Sequence, residues 1–221
     1  MKNSDQKQEL VNKIISLYSR AGWKSIFAKL RFWYAPYIEV EELVPLNGTI
    51  VDLGCGEGIL SNYIGLCSKN RKIIGVEIDR NRIKEANHGI PNVNFINTDV
   101  TKNDLPQSDA IICFQLLHHL KSYEMQEELI KKCIKSLSKE GKFIIDEIRV
   151  DYTLRYWLTW VADHFLVPLF FEKRLYSPIL FRTVPAWKEL LEKKGLNCTI
   201  IIPKEINKPF ANVIFECRKT W

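Results

Sequence analysis

Ile50-Val51-Asp52-Leu53-Gly54-Cys55-Gly56-Glu57-Gly58 reads as a buried strand running directly into a glycine-rich turn that opens a helix. Such a turn sets bare backbone N–H groups against a small, partly charged ligand. The glycine spacing narrows the ligand further. A dinucleotide-binding turn runs Gly-x-Gly-x-x-Gly and seats a pyrophosphate on the helix N-terminus, whereas here the third glycine comes one residue early, as Gly-x-Gly-x-Gly. The tighter turn suits a ligand without a phosphate.

Outward from this stretch, residues 49–147 alternate short β-branched runs with longer helical patterns, the signature of β-α-β units and a mostly parallel sheet. Strands are expected at 49–53, 72–77, 93–97, 110–114 and 142–147, with helices at 58–67, 81–87 and 123–137 between them. Lys139-Glu140-Gly141 is expected to turn the chain into the fifth strand. Thr183 and Pro185 mark a helix start, and the pattern over 186–194 stops at Gly195. Two last strands, at 198–202 and 212–217, have no helix between them, which implies an antiparallel hairpin at one sheet edge. The fold class is α/β, doubly wound.

Three further segments stand at strand ends. Glu77 closes the second strand about 20 residues beyond the glycine turn, where a carboxylate can accept both hydroxyls of a ribose. Asp79, just before Arg80-Asn81-Arg82, suits a helix N-cap. Asn97-Thr98-Asp99-Val100 follows the third strand and also has the composition of a surface turn. Phe114-Gln115-Leu116-Leu117-His118-His119-Leu120 follows the fourth, and its histidines are candidates for general-base work.

Taken with Glu77, the string from Ile50 to Gly58 resembles motif I of class I S-adenosylmethionine-dependent methyltransferases, in particular their type-11 group. The specific likeness covers about residues 47–150 and extends loosely over 183–217 through Trp187-Lys188-Glu189-Leu190-Leu191. It implies a seven-stranded sheet of order 3-2-1-4-5-7-6 with strand 7 antiparallel, S-adenosylmethionine as cofactor and S-adenosylhomocysteine as product. By the same likeness Asp52, Leu53, Gly54, Cys55, Gly56 and Gly58 surround the methionine part, with Asp52 receiving its ammonium. Glu77 and Ile78 meet the ribose, Asp99 and Val100 the adenine, and Phe114 and Gln115 complete the cofactor set. The histidine pair resembles a Leu-His-His pattern of small-molecule methyltransferases, in which His118 or His119 either takes a proton or braces the loop. The Asp/Asn-Pro-Pro-Tyr/Phe tetrad of enzymes that methylate amides or adenine amino groups is absent.

Two segments lie outside this likeness. Residues 1–45 combine an amphipathic helical pattern (Leu10, Val11, Ile14, Ile15, Tyr18) with Trp23, Phe27, Phe32, Trp33, Tyr34 and Tyr37. Residues 151–182 hold Tyr152, Tyr156, Trp157, Trp160, Phe165, Phe170, Phe171, Tyr176 and Phe181, with Asp163 and His164 among them. Polar groups in such a stretch are either paired inside the core or line a cavity, which makes Asp163 and His164 further catalytic candidates. The expected organisation is one domain over 1–221: a helical N-terminal cap at 1–45, a cofactor-binding core at 46–150, an aromatic lid at 151–182, and the last helix and hairpin at 183–221.

Composition bounds the rest. The net charge of +6 is spread among glutamates, as in Lys188-Glu189, and forms no long basic run. The six cysteines are scattered without a C-x-x-C pair and are expected as buried free thiols. Asp146-Glu147 has no acidic companion at the fourth strand, so no metal is expected. No apolar run reaches the roughly 18–20 residues that span a bilayer, and a cytoplasmic protein, monomer or homodimer, is expected. The leading expectation is methyl transfer to a small, hydrophobic or aromatic metabolite or lipid-like acceptor, with peripheral lipid contact left open. A tRNA or other nucleic-acid methyltransferase and a non-catalytic cofactor-binding subunit are the alternatives.

Overall fold

A computed structural model of the chain describes residues 4–18, 23–166, 179–204 and 208–220. Its sheet comprises β1 (Gly48–Leu53), β2 (Arg71–Glu77), β3 (Val93–Asn97), β4 (Ser108–Phe114), β5 (Leu137–Ile148), β6 (Leu196–Ile201) and β7 (Asn212–Lys219). These run in the order β3-β2-β1-β4-β5-β7-β6. The first five strands are parallel, and β7 is antiparallel to both β5 and β6, as expected.

The strands are buried on both faces, so their side chains sort with a period of two. Ile50, Ile112 and Ile144 face a layer formed by α1 (Ser4–Leu17), α3 (Tyr37–Leu43) and α4 (Ile59–Cys67), where they meet Ile14, Val40 and Tyr63. Val51, Ile111 and Ile145 face the opposite layer of α6 (Tyr123–Ser136) and α8 (Val184–Lys193), where they meet Ile130 and Trp187. The remaining helices are α2 (Trp23–Tyr34), α5 (Arg80–Ala86) and α7 (Leu154–Val161), the last running into a π-helical turn over Ala162–Leu166. Local caps fix where helices begin. Asp79 accepts from Asn81 N at 2.7 Å, Ser122 from Met125 N at 3.3 Å and Thr183 from Ala186 N at 3.4 Å.

The N-terminal helices are fastened to the sheet by a buried cation. Arg71, 1 % exposed, donates to Glu41 Oε1 at 2.7 Å, to Pro45 O at 2.6 Å, to Val44 O at 3.0 Å and to Ile64 O at 3.2 Å. Removing either ion would leave the other charged and dry.

Two expectations are corrected. Lys139-Glu140-Gly141 does not precede the fifth strand but lies inside it: β5 starts at Leu137 opposite Ser108 and resumes at Lys142 opposite Ala110. The turn residues are taken up as a bulge in a continuous strand, which a local reading of turn composition cannot distinguish from a loop. Cys198 and Cys217 are not free thiols but form a disulfide. The register of the β6–β7 hairpin sets them directly opposite each other, with Cα atoms 4.0 Å apart. Cys67, Cys113 and Cys133 are buried free cysteines and Cys55 is half-buried. Of the aromatic residues expected to cover the site, Phe170, Phe171 and Tyr176 lie outside the described residues, as do the side chains of Trp23 and Phe27.

Candidate active site

The carboxyl ends of β1 to β4 open on one cavity of about 660 Å³. It sits where the strand order reverses, between β1 and β4, the ligand position of open α/β sheets. The glycine turn forms part of its wall. Gly54 N and Cys55 N both donate to Val76 O, at 2.8 and 3.0 Å, which clamps the turn onto β2. Gly56 lines the cavity with φ 56°, a conformation that side chains resist, and a Cβ there would meet nothing within 4 Å. Gly58 serves a different end. A Cβ on it would stand 2.7 Å from Ala86 Cβ and 2.8 Å from Phe95 Cζ, so this glycine allows α4 to pack on α5 and β3.

Three members of the motif are therefore behind the wall, not on it. Gly58 and the fully buried Leu53 do not line the cavity, and neither does Asp52. Asp52 is 1 % exposed and accepts from Ser61 Oγ at 2.6 Å. Burial pushes its carboxyl up to about 7, with the Ser61 hydroxyl pulling the other way. A motif read by spacing does not reveal which side chains of a strand end point inward.

Glu77, 6 % exposed, lines the cavity and organises it. Its Oε1 accepts from Ile78 N at 2.8 Å and Asp79 N at 2.9 Å, and its Oε2 from Gly56 N at 3.0 Å. Oε1 is filled by its two N–H donors while Oε2, with one, keeps acceptor capacity, so the carboxylate braces the glycine turn and still offers an acceptor to a ligand. Asp99 also lines the cavity, in a turn in which its Oδ1 accepts from Thr101 N at 2.9 Å and from Thr101 Oγ1 at 2.6 Å. The Thr101 hydroxyl holds its carboxyl below the usual range. The segment is at once a turn and part of the cavity wall. Ile78, Val100, Cys55 and Phe114 line the cavity too.

Gln115, at the end of β4, has φ 49°, uncommon for a residue with a side chain. It is held there by its N–H to Asp146 O at 2.8 Å, and it lines the cavity. Backbone strain at such a point is a common mark of function. Its side-chain oxygen faces Arg31 Nη1 at 3.4 Å, a contact that the sequence did not disclose. Arg31, from α2, also donates to Tyr37 Oη at 2.9 Å and to Tyr34 Oη at 2.8 Å.

The two histidines differ. His118 is 1 % exposed, and its Nδ1 is 2.6 Å from Glu147 Oε2, while Glu147 Oε1 accepts from Leu117 N at 3.0 Å. Burial alone would lower its pKa, but the Glu147 carboxylate outweighs burial and raises it above 6.5. On its other side Nε2 lies 3.9 Å from Asp163 Oδ2. His119, unlike His118, is exposed, and it lines the cavity. Desolvation of the ring against the cavity wall, then the neighbouring His118, lower its pKa and favour the neutral ring. Asp163 lines the cavity and burial raises its carboxyl. His164 does not line it: Nδ1 is 2.9 Å from Trp160 O and the ring stacks on Trp160 at 4.3 Å. Among the described residues no group of three His, Cys, Asp or Glu is arranged to hold a metal.

Residues 29–199 match the family model of the methyltransferase domain. The chain belongs to this methyltransferase family. It is similar to the (S)-coclaurine N-methyltransferase of Thalictrum flavum subsp. glaucum, 28 % identical over 106 residues that cover 45 % of this chain and 28 % of that protein. It is also similar to the isoflavone 4'-O-methyltransferase of Lotus japonicus, 29 % identical over 163 residues covering 71 % of this chain and 42 % of that one. The chain spans between about a quarter and a half of the length of the curated relatives it matches. In fold it matches the solved DhpI-SAH complex with a TM-score of 0.67 at 15 % identity, over 99 % of both chains. The methyltransferase fold thus extends past the cofactor-binding strands to α2 and to the start of the hairpin.

Proposed function

We propose that this protein transfers the methyl group of S-adenosylmethionine to a small-molecule acceptor. One observation carries the reading: the bare Gly56 turn, Glu77, Asp99 and Gln115, from four consecutive strand ends, share the wall of one cavity. That donor set fits a nucleoside with an amino-acid tail, because it offers carboxylates at β2 and β3 and exposed backbone at β1. The cofactor, when bound, supplies an electrophilic methyl on sulfur, transferred by in-line displacement. The protein's part is then to hold the acceptor in line and keep water out.

Acid–base work falls to the histidine pair. His119, neutral and open to the cavity, takes the proton of an acceptor hydroxyl or ammonium. His118 is a positioning residue: Glu147 and Asp163 bracket its ring, and its centroid is 4.3 Å from that of His119. Asp163 belongs to the 151–182 insertion, which supports reading that segment as a cover for the acceptor. A small acceptor is favoured over a nucleic acid because two of the cations that line the cavity are paired with acids, Arg82 with Glu57 at 3.5 Å and Lys102 with Asp99 at 3.4 Å. The relatives named for N- and O-methylation of small molecules support the same choice.

The test is transfer of label from methyl-labelled S-adenosylmethionine to fractionated metabolites, lipids and RNA. Label in a metabolite or lipid fraction supports the reading, and label confined to RNA overturns it. His119→Gln is expected to lower kcat about 10²–10⁴-fold and to abolish the acidic limb of the rate profile. An unchanged limb would return His119 to a bracing role.

A further inference from the structure

Arg31 lines the cavity, and neither the glycine motif nor the methyltransferase likeness brings it to notice. Among the described residues it has no matching anion. Its Nε and Nη1 donate to Tyr37 Oη, Tyr34 Oη and Gln115 Oε1, all uncharged. Nη2 donates to no described residue, and no carboxylate of the described residues lies within 4.0 Å of the guanidinium. The rings of Tyr34, Tyr37 and Phe114 surround it, with Cζ 5.4, 5.6 and 5.8 Å from their centroids. A guanidinium stays charged at any physiological pH, and a partly buried one with neutral partners favours an incoming anion.

Its place along the cavity identifies the anion. Glu77 ends β2, and Arg31 reaches Gln115 at the end of β4, so the two stand on opposite flanks of β1. A ligand whose ribose meets Glu77 and which passes over the Gly54–Gly56 turn extends its far arm toward Arg31. We propose that Arg31 receives the α-carboxylate of the amino-acid tail of S-adenosylmethionine, through the fork of Nη1 and Nη2, with Tyr34 and Tyr37 as the residues that aim it. The inference rests on the cofactor reading above. It makes the N-terminal helices part of the cofactor site, since a planar carboxylate and a guanidinium fork match bidentately.

Calorimetry with S-adenosylhomocysteine and with 5'-methylthioadenosine, which ends at the thioether and has no carboxylate, separates the two claims. Arg31→Gln is expected to weaken S-adenosylhomocysteine about 10–100-fold and to leave 5'-methylthioadenosine unchanged. Arg31→Lys, which keeps the charge and loses the fork, is expected to fall between, and serves if the glutamine variant does not fold. Equal affinity of wild type and variant for S-adenosylhomocysteine overturns the assignment, as does an equal loss for both ligands. If wild-type protein binds neither ligand, the cofactor reading itself fails.

Discussion

The Glu77 carboxylate accepts three backbone N–H groups, two just beyond its own strand and one in the glycine turn. Glu77→Ala leaves those donors unpaired and, on the proposed cofactor reading, also removes an acceptor for the ribose. Affinity for S-adenosylhomocysteine is expected to fall by about 1–3 kcal/mol in calorimetry, with a loss of stability of similar size in urea. Loss of stability with intact affinity would make Glu77 a brace only. The His118–Glu147 contact adds a pH dependence. His118 has its folded pKa raised above 6.5 chiefly by Glu147 against the cost of burial, so the pair's stabilisation is full below about 6.5 and is lost as pH rises through the folded value. Glu147→Gln is expected to flatten urea-determined stability over that rise; an unchanged slope would place the titration elsewhere. Asp52 works the same way with a carboxyl. Burial lifts its pKa to about 7 from 3.8, so its neutral form favours folding in acid and the benefit disappears as pH rises through about 7. Asp52→Asn is expected to cost little at pH 5 and to gain stability at pH 8, on the order of 1 kcal/mol.

At the level of elements, the N-terminal helices are attached through polar contacts as much as through their apolar faces. Arg71 on β2 holds Glu41 of α3 and three carbonyls, so Glu41→Ala strands a buried guanidinium and is expected to cost about 3–5 kcal/mol by chemical denaturation. Immediately after α1, the Tyr18 hydroxyl donates to Glu57 O at 2.7 Å and accepts from Asn62 Nδ2 at 3.0 Å, which ties that helix to the glycine turn. Strand and helix boundaries were mostly legible because caps and β-branched runs act within a few residues, as with Asp79 and Thr183. The bulge at 138–141 was not legible, since Gly141 and its neighbours carry turn composition whether the chain leaves the sheet or stays in it.

For the whole molecule, a ligand that binds only the folded state adds stability by mass action. S-adenosylhomocysteine at a hundredfold excess over its Kd is expected to raise Tm by roughly 5–10 °C, and NAD to leave it unchanged. A shift with NAD alone would reverse the reading of the glycine spacing. What the sequence by itself determined was the parallel sheet and the line of strand ends, because β-branched runs and a tight glycine turn are local consequences of residue type; the strand order followed from the resemblance to the methyltransferase family. Four of those local stations, Gly56, Glu77, Asp99 and Gln115, do line the cavity. Tertiary structure alone decided which way the strand-end side chains face, hiding Asp52 and opening His119. It also brought Cys198 against Cys217 and carried Arg31 to a residue 84 positions away. Contacts of that kind depend on how helices dock across the sheet, and the free energy that fixes the docking is summed over the whole core rather than written at any one position.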